Sequence, residues 1–234
     1  MTKFNTALLA SGAQSFGISL TPSQLQSFEV YAELLEDWNS KLNLTSVPPE
    51  DTVTLHFLDS LSIAQIIRPH GTLLDVGTGA GFPGVPLKIA FPEIQLTVVD
   101  SIAKKLGFIE ALARKLDLAI GIVCARAEVL AHDAARREHF DFVVSRAVAD
   151  LEPLSAWMLP FLRIGGTAIA MKSKEAESEL ESARRCIGEL GGAEARIVEV
   201  TIPTSPVLRK LVIIKKLHST PPSFPKRGNV KKKR

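Results

Sequence analysis

The chain has 234 residues, 46% of them hydrophobic, which is enough for one sizeable core but hardly for two. Cys124 and Cys186 lie far apart, which argues against a disulfide framework or a cysteine-based zinc site, and the five histidines lack metal-ligand spacing. No stretch reaches the roughly 18 uncharged residues that a membrane span requires. We therefore expect a monomeric cytoplasmic protein without a metal or a membrane partner.

The net charge of +3 is unevenly distributed along the chain. Residues 219–234 contain six basic residues and no acidic one, which leaves 22 basic and 25 acidic residues elsewhere. A segment rich in Pro, Ser and Lys buries little apolar surface, so we predict a disordered tail over 219–234. It either binds a polyanion such as RNA or only keeps the protein soluble. The RNA-binding candidates in it are Lys226, Arg227, Lys231 and Lys232.

Helical periodicity dominates the first 70 residues. Thr21 and Gln24 form a capping-box pattern before an amphipathic run that ends near Asn39. A second helix is predicted over residues 51–67, before Pro69 and Gly71. Residues 1–70 are therefore predicted to form a helical appendage.

From Thr72 onward, short apolar runs alternate with helical stretches, which predicts βαβ units and a parallel sheet. The last two runs are joined by only a short Pro-rich connection, so they should pair antiparallel. We predict an α/β fold over 71–218: a Rossmann-like, seven-stranded, mostly parallel sheet with a C-terminal hairpin, as in class I methyltransferases. The predicted strands are 73–76, 95–99, 119–123, 140–144, 167–171, 195–202 and 210–216, with a helix over 102–116.

A glycine-rich turn follows the first predicted strand. Gly77, Gly79 and Gly81 permit a tight bend and a close approach of the backbone to a ligand. The run from Gly79 also satisfies G-x-G-x-x-G, so a nicotinamide cofactor remains an alternative. Asp75 before the glycines favours S-adenosylmethionine, since an acidic residue followed by this glycine pattern is typical of methyltransferases. A dehydrogenase would also need a substrate domain and a catalytic tyrosine in context, which the chain does not offer.

Three further positions at the carboxyl ends of strands are cofactor candidates. Asp100 can accept hydrogen bonds from ribose hydroxyls, or it can cap the next helix. Ala127 and Glu128 follow the third strand, where the resemblance to methyltransferases implies an adenine ring, although Glu128 is equally consistent with a solvated residue in the first turn of a helix.

Arg146, at the end of the fourth strand, is the candidate for positioning substrate, because a cation there is costly to bury without a partner. The alternative is an internal salt bridge to Asp75 or Glu128. Arg126 and Lys172 could hold RNA phosphates at the same edge, or be ordinary surface charges. For His56 and Asp59, one helical turn apart, a capping or core-edge pair is favoured over a place in the cleft.

The chemistry that the sequence lacks is also informative. No Asn/Asp-Pro-Pro-aromatic run, typical of exocyclic amine methylation, follows the fourth strand, and no cysteine nucleophile stands there. Guanine N7 needs neither, since its lone pair is free at neutral pH. Catalysis would then depend on positioning, and no general base is expected.

Four segments together resemble one family: residues 38–46 (WNSKLNLTS), 56–60 (HFLDS), 74–86 and 145–147 (SRA). It is the bacterial 16S ribosomal RNA guanine-N7 methyltransferase family, also called glucose-inhibited division protein B. The resemblance runs from about Leu20 to Lys216 and implies N7 methylation of guanine 527, near the decoding region of the small ribosomal subunit. The family's cofactor contacts fall on Gly77, Phe82, Ala127, Glu128 and Arg146, with Asp100 at the ribose position.

Three functions thus follow from the sequence. The first is an S-adenosylmethionine-dependent methyltransferase acting on 16S rRNA or the small subunit. The second is an NAD(P)-dependent oxidoreductase, and the third is an RNA-binding module without catalysis.

Overall fold

A computed structural model describes residues 4–67, 69–146, 149–172, 175–205 and 208–225. Seven strands form one sheet in the order β3-β2-β1-β4-β5-β7-β6, in which β1 to β5 are parallel and β7 runs antiparallel to both β5 and β6. The predicted sheet and its terminal hairpin are confirmed. The strands are β1 (Gly71–Val76), β2 (Ile94–Asp100), β3 (Ile120–Cys124), β4 (Phe140–Arg146), β5 (Leu162–Lys172), β6 (Gly192–Thr201) and β7 (Leu208–Lys216).

The strand order reverses beside β1. Leu74 of β1 is in register with Thr97 of β2 on one side and with Val143 of β4 on the other. The chain therefore continues from β1 to β2 and β3 on one side of β1, and then returns to β4 on its other side. Ligands of open α/β sheets bind at such a point, beyond the carboxyl ends of the strands.

Helices cover both faces of the sheet, and the first long one begins as predicted. The Thr21 hydroxyl accepts from the Gln24 amide at 3.2 Å, and the Gln24 side chain accepts from the Thr21 amide at 2.9 Å, which completes the capping box. The helices are α1 (Thr6–Ser15), α2 (Pro22–Leu42), α3 (Asp59–Leu61), α4 (Gly84–Ala90), α5 (Ala103–Leu116), α6 (Ala127–Leu130), α7 (Leu151–Met158) and α8 (Ala176–Glu189).

The single helix predicted over 51–67 is wrong. A 3-10 turn (Pro49–Asp51) leads into a π-helical turn (Thr52–Leu58) and then α3, and residues 62–66 form turns. Phe57, Leu58 and Leu61 are all fully buried, so packing on several sides, rather than one amphipathic face, decides the backbone here. Single π-helical turns of this kind are frequent at functional sites.

The N-terminal helices share a hydrophobic cluster with the sheet. Phe28 of α2 and Phe57 pack with their ring centroids 4.9 Å apart, and the cluster continues to Phe82 and Phe108. The described part of the N-terminal segment therefore packs on the sheet, and a domain boundary at residues 70–71 stays a prediction. None of the helices in the described ranges is long and apolar enough to cross a membrane.

The predicted tail begins too early at residue 219. Thr220 is 3% exposed, and its amide donates to Glu138 Oε1 at 2.7 Å. The Arg137 guanidinium donates to the carbonyls of Thr220 and Phe224. These contacts supply the burial that the composition of residues 219–225 alone does not indicate. Residues 226–234, with the candidates Lys226, Arg227, Lys231 and Lys232, lie outside the described residues.

Candidate functional site

A cleft of about 930 Å³ opens at the carboxyl ends of β1 to β4. This is the sheet edge where the strand order reverses, and it is the place that the sequence predicts for a ligand. The cleft lining combines the glycine turn with residues of the N-terminal segment and of β7. Among the lining residues are Thr45, His56, Asp59, Gly77, Gly79, Phe82, Asp100, Lys105, Arg126, Ala127, Glu128, Arg146, Trp157 and Arg209.

The glycine turn has the backbone that its sequence predicts. Gly77, Gly79 and Gly81 all have positive φ, at 70°, 58° and 97°. No atom lies within 4 Å of the position that a Gly79 Cβ would occupy, whereas a Gly81 Cβ would be 2.6 Å from the buried Tyr31 hydroxyl. The turn therefore packs onto α2 at Gly81 and offers bare backbone at Gly79, which is a surface suited to a close ligand.

Asp75 lies beneath this turn and is fully buried. Its Oδ2 accepts from the Thr78 hydroxyl at 2.7 Å and from the Gly84 amide at 2.9 Å, which fixes the shape of the turn. Its Oδ1 is buried and has no hydrogen-bond donor among the described residues. Burial raises the pKa of this carboxyl from 3.8 to about 6.

Asp100 ends β2 and connects the turn with the next helix. Its Oδ2 accepts from the Gly79 amide at 3.0 Å, and its Oδ1 accepts from the Ile102 amide at 2.9 Å. The capping role proposed for Asp100 is wrong, since α5 begins one residue after Ile102, its N-cap, without a side-chain cap. The carboxylate instead lines the cleft at the predicted ribose position.

Arg146 reaches back from β4 across the cleft floor. Its guanidinium carbon lies 4.7 Å from the ring centroid of Phe82, within cation–π distance. Its Nη1 donates to Asp59 Oδ2 at 3.0 Å, so the partners considered from the sequence, Asp75 and Glu128, are wrong. The carboxylate comes from the N-terminal segment, far away in sequence, where no local pattern indicates the pair.

Asp59 is 1% exposed and joins two arginines. Arg209 of β7 donates to it from Nε at 2.7 Å and from Nη2 at 2.9 Å, while Arg146 binds the same carboxylate. The side chains of Arg146 and Arg209 are 14% and 16% exposed, and both line the cleft. Sequence reasoning missed Arg209, because its neighbours form an ordinary strand pattern and its partner lies 150 residues away.

His56 supports the same cluster, so the favoured interpretation of His56 and Asp59 as a capping or core-edge pair is wrong. Arg146 Nη2 donates to His56 Nδ1 at 3.0 Å, which requires that Nε2 carry the proton and donate to the Thr45 hydroxyl at 2.7 Å. The imidazole stacks on Phe82 with ring centroids 4.2 Å apart. Burial and the neighbouring Arg146 lower the pKa of His56 to about 3, so the ring is neutral near pH 7.

Residues after β3 form the opposite rim. Ala127 and Glu128 occupy the first turn of α6 and line the cleft, as predicted from the sequence. The Glu128 side chain is mostly shielded from solvent, whereas that of Arg126 is 65% exposed and lies 3.7 Å from Glu128. Arg126 is therefore accessible to a large anionic ligand.

The Lys172 ammonium group is occupied by contacts within the protein, so the expected role as a phosphate contact is not supported. It is 8% exposed, its Nζ donates to the Ala149 carbonyl at 2.7 Å, and it pairs with Glu179 at 2.5 Å. Its charge is used to join β5 to α8. Within the described ranges, no three His, Cys, Asp or Glu side chains are grouped so as to hold a metal ion.

Comparisons with known proteins agree with this geometry. Residues 24–207 match the model of the GidB family, described as rRNA small subunit methyltransferase G. Proteins named ribosomal RNA small subunit methyltransferase G share 42% identity with the chain in Acetivibrio thermocellus, over 94% of this chain and 92% of the relative, and 40% in Dehalococcoides mccartyi, over 95% and 96%.

Two solved structures show the fold at low sequence identity. The ribosomal protein L11 methylase of Lactobacillus delbrueckii subsp. bulgaricus aligns with a TM-score of 0.52 and 19% identity, covering 76% of this chain and 83% of that one. TYW2 of M. jannaschii, solved in complex with AdoMet, aligns with a TM-score of 0.52 and 13% identity, covering 67% and 72%. The nicotinamide-dependent oxidoreductase considered from the sequence gains no support from these matches.

Proposed function

The chain belongs to the rRNA small subunit methyltransferase G family, and from this premise and the cleft we propose that it transfers a methyl group from S-adenosylmethionine to N7 of a guanine in 16S rRNA, guanine 527 by resemblance. The Arg146 cluster carries the proposal. It brings guanidinium donors and a neutral imidazole against the ring of Phe82, which directly follows the glycine turn.

The residues present fit the cofactor. Bare backbone at Gly79 admits an adenosyl group, and Asp100 offers acceptors for ribose hydroxyls. The Asp75 carboxylate, buried beneath the turn, holds the Thr78 hydroxyl and the Gly84 amide and so keeps the glycine backbone in a shape that a ligand can approach. When bound, S-adenosylmethionine supplies an electrophilic methyl group on a sulfonium. We therefore assign the cofactor contacts to Gly77, Gly79, Phe82, Asp100, Ala127 and Glu128, with Arg146 next to them. Asp75 and Gly81, also expected as contacts, do not line the cleft and instead shape the turn.

The task of the protein is to hold the guanine in line. The N7 lone pair forms the new N–C bond as the S–C bond breaks, so the positive charge moves to the guanine ring and no proton has to leave. Both nitrogens of His56 are engaged, by Arg146 and by Thr45, so this imidazole is not poised to act as a base. Positioning in the reactive geometry can supply about 7–11 kcal/mol of barrier reduction.

The two arginines are suited to that positioning. Arg146 uses three of its five N–H donors on Leu55, His56 and Asp59, and Arg209 uses three on Asp59 and Lys172, within the described part of the chain. Each keeps donors for oxygens of the target nucleotide. Because Asp59 neutralises only one of the two cations, the cleft floor remains positive and suited to a polyanion.

The decisive experiment incubates the protein with labelled S-adenosylmethionine and undermethylated 16S RNA or small subunits, and maps 7-methylguanosine by strand scission. We expect label at one guanine, and its absence from RNA would refute the proposal. Arg146→Ala should lose transfer, while Arg163→Ala, an exposed arginine on β5 paired with Asp141, serves as the matched control. Thermal stabilisation by S-adenosylhomocysteine but not by NAD(H) tests the cofactor separately.

A further inference from the structure

Tyr31, the single tyrosine of the chain, connects α2 with the glycine turn. Its side chain is fully buried, and its hydroxyl donates to the Ala80 carbonyl at 2.5 Å, from a position 49 residues away in sequence. A buried phenol needs such a partner for its hydroxyl. Burial raises the pKa of Tyr31 well above its ordinary range, so the phenol stays a neutral donor.

The Ala80 carbonyl depends on this hydroxyl. Ala80 is 3% exposed and lines the cleft. In a regular helical turn its carbonyl would accept from the amide four residues later, but the Gly84 amide donates to Asp75 instead. Within the ranges that the structure describes, the Tyr31 hydroxyl is therefore the donor that this carbonyl has. Without the hydroxyl, an almost buried acceptor would lack a partner, which is unfavourable.

The Tyr31 ring also packs on Phe82, the aromatic residue at the end of the turn. Their ring planes are 4° apart and their centroids are separated by 5.3 Å. Phe82 in turn stacks with the His56 imidazole at 4.2 Å and lies 4.7 Å from the guanidinium carbon of Arg146. Tyr31 itself does not line the cleft, so its effect on a ligand must be transmitted through the turn and through Phe82.

We propose that Tyr31 is a positioning residue of the cofactor site: by holding the Ala80 carbonyl against α2, it keeps the glycine turn in the shape that binds S-adenosylmethionine. Gly79 is where this shape matters, since it lines the cleft, has no atom within 4 Å of its Cβ position and donates its amide to Asp100. The inference rests on the proposed function for the identity of the cofactor.

The proposal has a direct consequence for affinity. If the Ala80 carbonyl is released, the turn exchanges its binding shape with shapes in which that carbonyl reaches water. The apparent Kd for the cofactor then rises by the inverse of the fraction of molecules that keep the binding shape. Once the cofactor is bound, the shape is restored, so the transfer step itself should change little.

The test compares the unchanged protein with Tyr31→Phe and with a matched control, Phe28→Leu. Tyr31→Phe removes only the hydroxyl and keeps a ring against Phe82. Phe28 lies one turn earlier on α2, is fully buried and packs on Phe57, but it does not line the cleft. The control therefore disturbs the same aromatic cluster without removing the bond to Ala80. Calorimetry gives the Kd for S-adenosylhomocysteine, the labelled transfer assay gives KM and kcat, and urea unfolding gives the stability of each protein.

Losing one hydrogen bond to a buried acceptor changes an equilibrium by about tenfold, so the Kd for S-adenosylhomocysteine and the KM for S-adenosylmethionine should rise about tenfold in Tyr31→Phe. At saturating cofactor and RNA, kcat should stay within about twofold of the unchanged protein. Phe28→Leu should lower the urea midpoint yet leave Kd and KM within about twofold.

Hydrogen exchange provides a second readout on the turn itself. The amides of residues 77, 78, 79, 81 and 82 are all hydrogen-bonded, to Val99, Asp100 or Thr78. Without ligand they should exchange faster in Tyr31→Phe than in either other protein, and S-adenosylhomocysteine should restore their protection.

Equal Kd values for Tyr31→Phe and the unchanged protein would overturn the proposal. An equal loss of affinity in Phe28→Leu would overturn it as well, because Tyr31 would then act only through the stability of the fold, and so would a fall in kcat with KM unchanged. Failure of the proposed function is seen separately, since the calorimetric comparison needs no RNA. In that case no label enters RNA from any of the three proteins, whatever their Kd values are. Absence of S-adenosylhomocysteine binding by the unchanged protein would overturn both.

Discussion

Removing the charge of Asp59 is the sharpest test of how the cleft is built. Asp59 is 1% exposed and is the shared carboxylate of Arg146 and Arg209. Asp59→Asn keeps the shape of the side chain but replaces one oxygen by an amide that donates hydrogen bonds. Two guanidinium groups, on side chains that are 14% and 16% exposed, would then face each other without a countercharge.

Breaking a buried ion pair by removing one partner destabilises proteins by about 3–5 kcal/mol, because the remaining charge stays buried and unpaired. Both arginines here keep some contact with solvent, so we expect the lower end, about 3 kcal/mol. Transfer should also fall about 100-fold at saturating substrate, since Arg146 loses the contact that fixes its direction.

Urea unfolding gives the change in free energy, and the labelled methyl-transfer assay gives the change in kcat. The double variant Asp59→Asn with Arg209→Gln removes the second cation as well and should recover part of the lost stability, with a coupling of about 0.5–3 kcal/mol. If Asp59→Asn cost less than about 1 kcal/mol and the double variant were simply additive, the carboxylate would not be the electrostatic centre that its distances indicate.

The remaining predictions concern the floor of the cleft and the glycine turn. Arg146→Ala should lose at least about 100-fold in transfer yet keep its fold, as seen by circular dichroism, because Arg209 continues to neutralise Asp59. Gly81→Ala should abolish binding of S-adenosylhomocysteine in calorimetry, since its Cβ would lie 2.6 Å from the Tyr31 hydroxyl, whereas Gly107→Ala, with open space in α5, should bind normally and gain about 0.5–1 kcal/mol. Stability should respond to pH through two opposed groups. The pKa of His56 is lowered from 6.5 to about 3, so its contribution is present above pH 6.5 and is lost on acidification, while the pKa of Asp75 is raised from 3.8 to about 6, so its contribution grows on acidification. Each group changes the free energy of unfolding by about 1.4 kcal/mol per pH unit between pH 6 and 4, in opposite directions. Asp75→Asn removes the stabilising contribution, so the loss of stability on acidification should become steeper by that amount. A dependence of the urea midpoint on pH that is the same in Asp75→Asn and in the unchanged protein would contradict this prediction.

The glycine-turn side of the cleft was largely predictable from the sequence. Asp75, the three glycines and Asp100 lie within 26 residues of one another, and the positive φ of each glycine follows from a turn that must bend sharply after a buried strand. Local rules of backbone geometry and the placement of ligands at strand ends were sufficient for these residues.

The side of the cleft formed by the two arginines and Asp59 was not predictable in the same way. Asp59, Arg146 and Arg209 are separated by 87 and 63 residues along the chain, and each stands in an ordinary local pattern. The sequence indicates that a basic residue at the end of a buried strand needs an acidic partner. It does not indicate which of the 25 acidic residues provides that carboxylate. Lys172 illustrates the same limit, since its pairing with Glu179 removes it from the cleft.

The sequence by itself determined the succession of the seven strands, the antiparallel hairpin and the glycine turn, because these depend on residues that are near neighbours along the chain. Only the tertiary structure decided which charges neutralise one another, why residues 51–67 are not one regular helix, and how residues 217–225 pack beside the end of α6. Those features depend on burial between distant segments, where the cost of an unpaired charge or an exposed apolar side chain is met by a contact that no local pattern specifies.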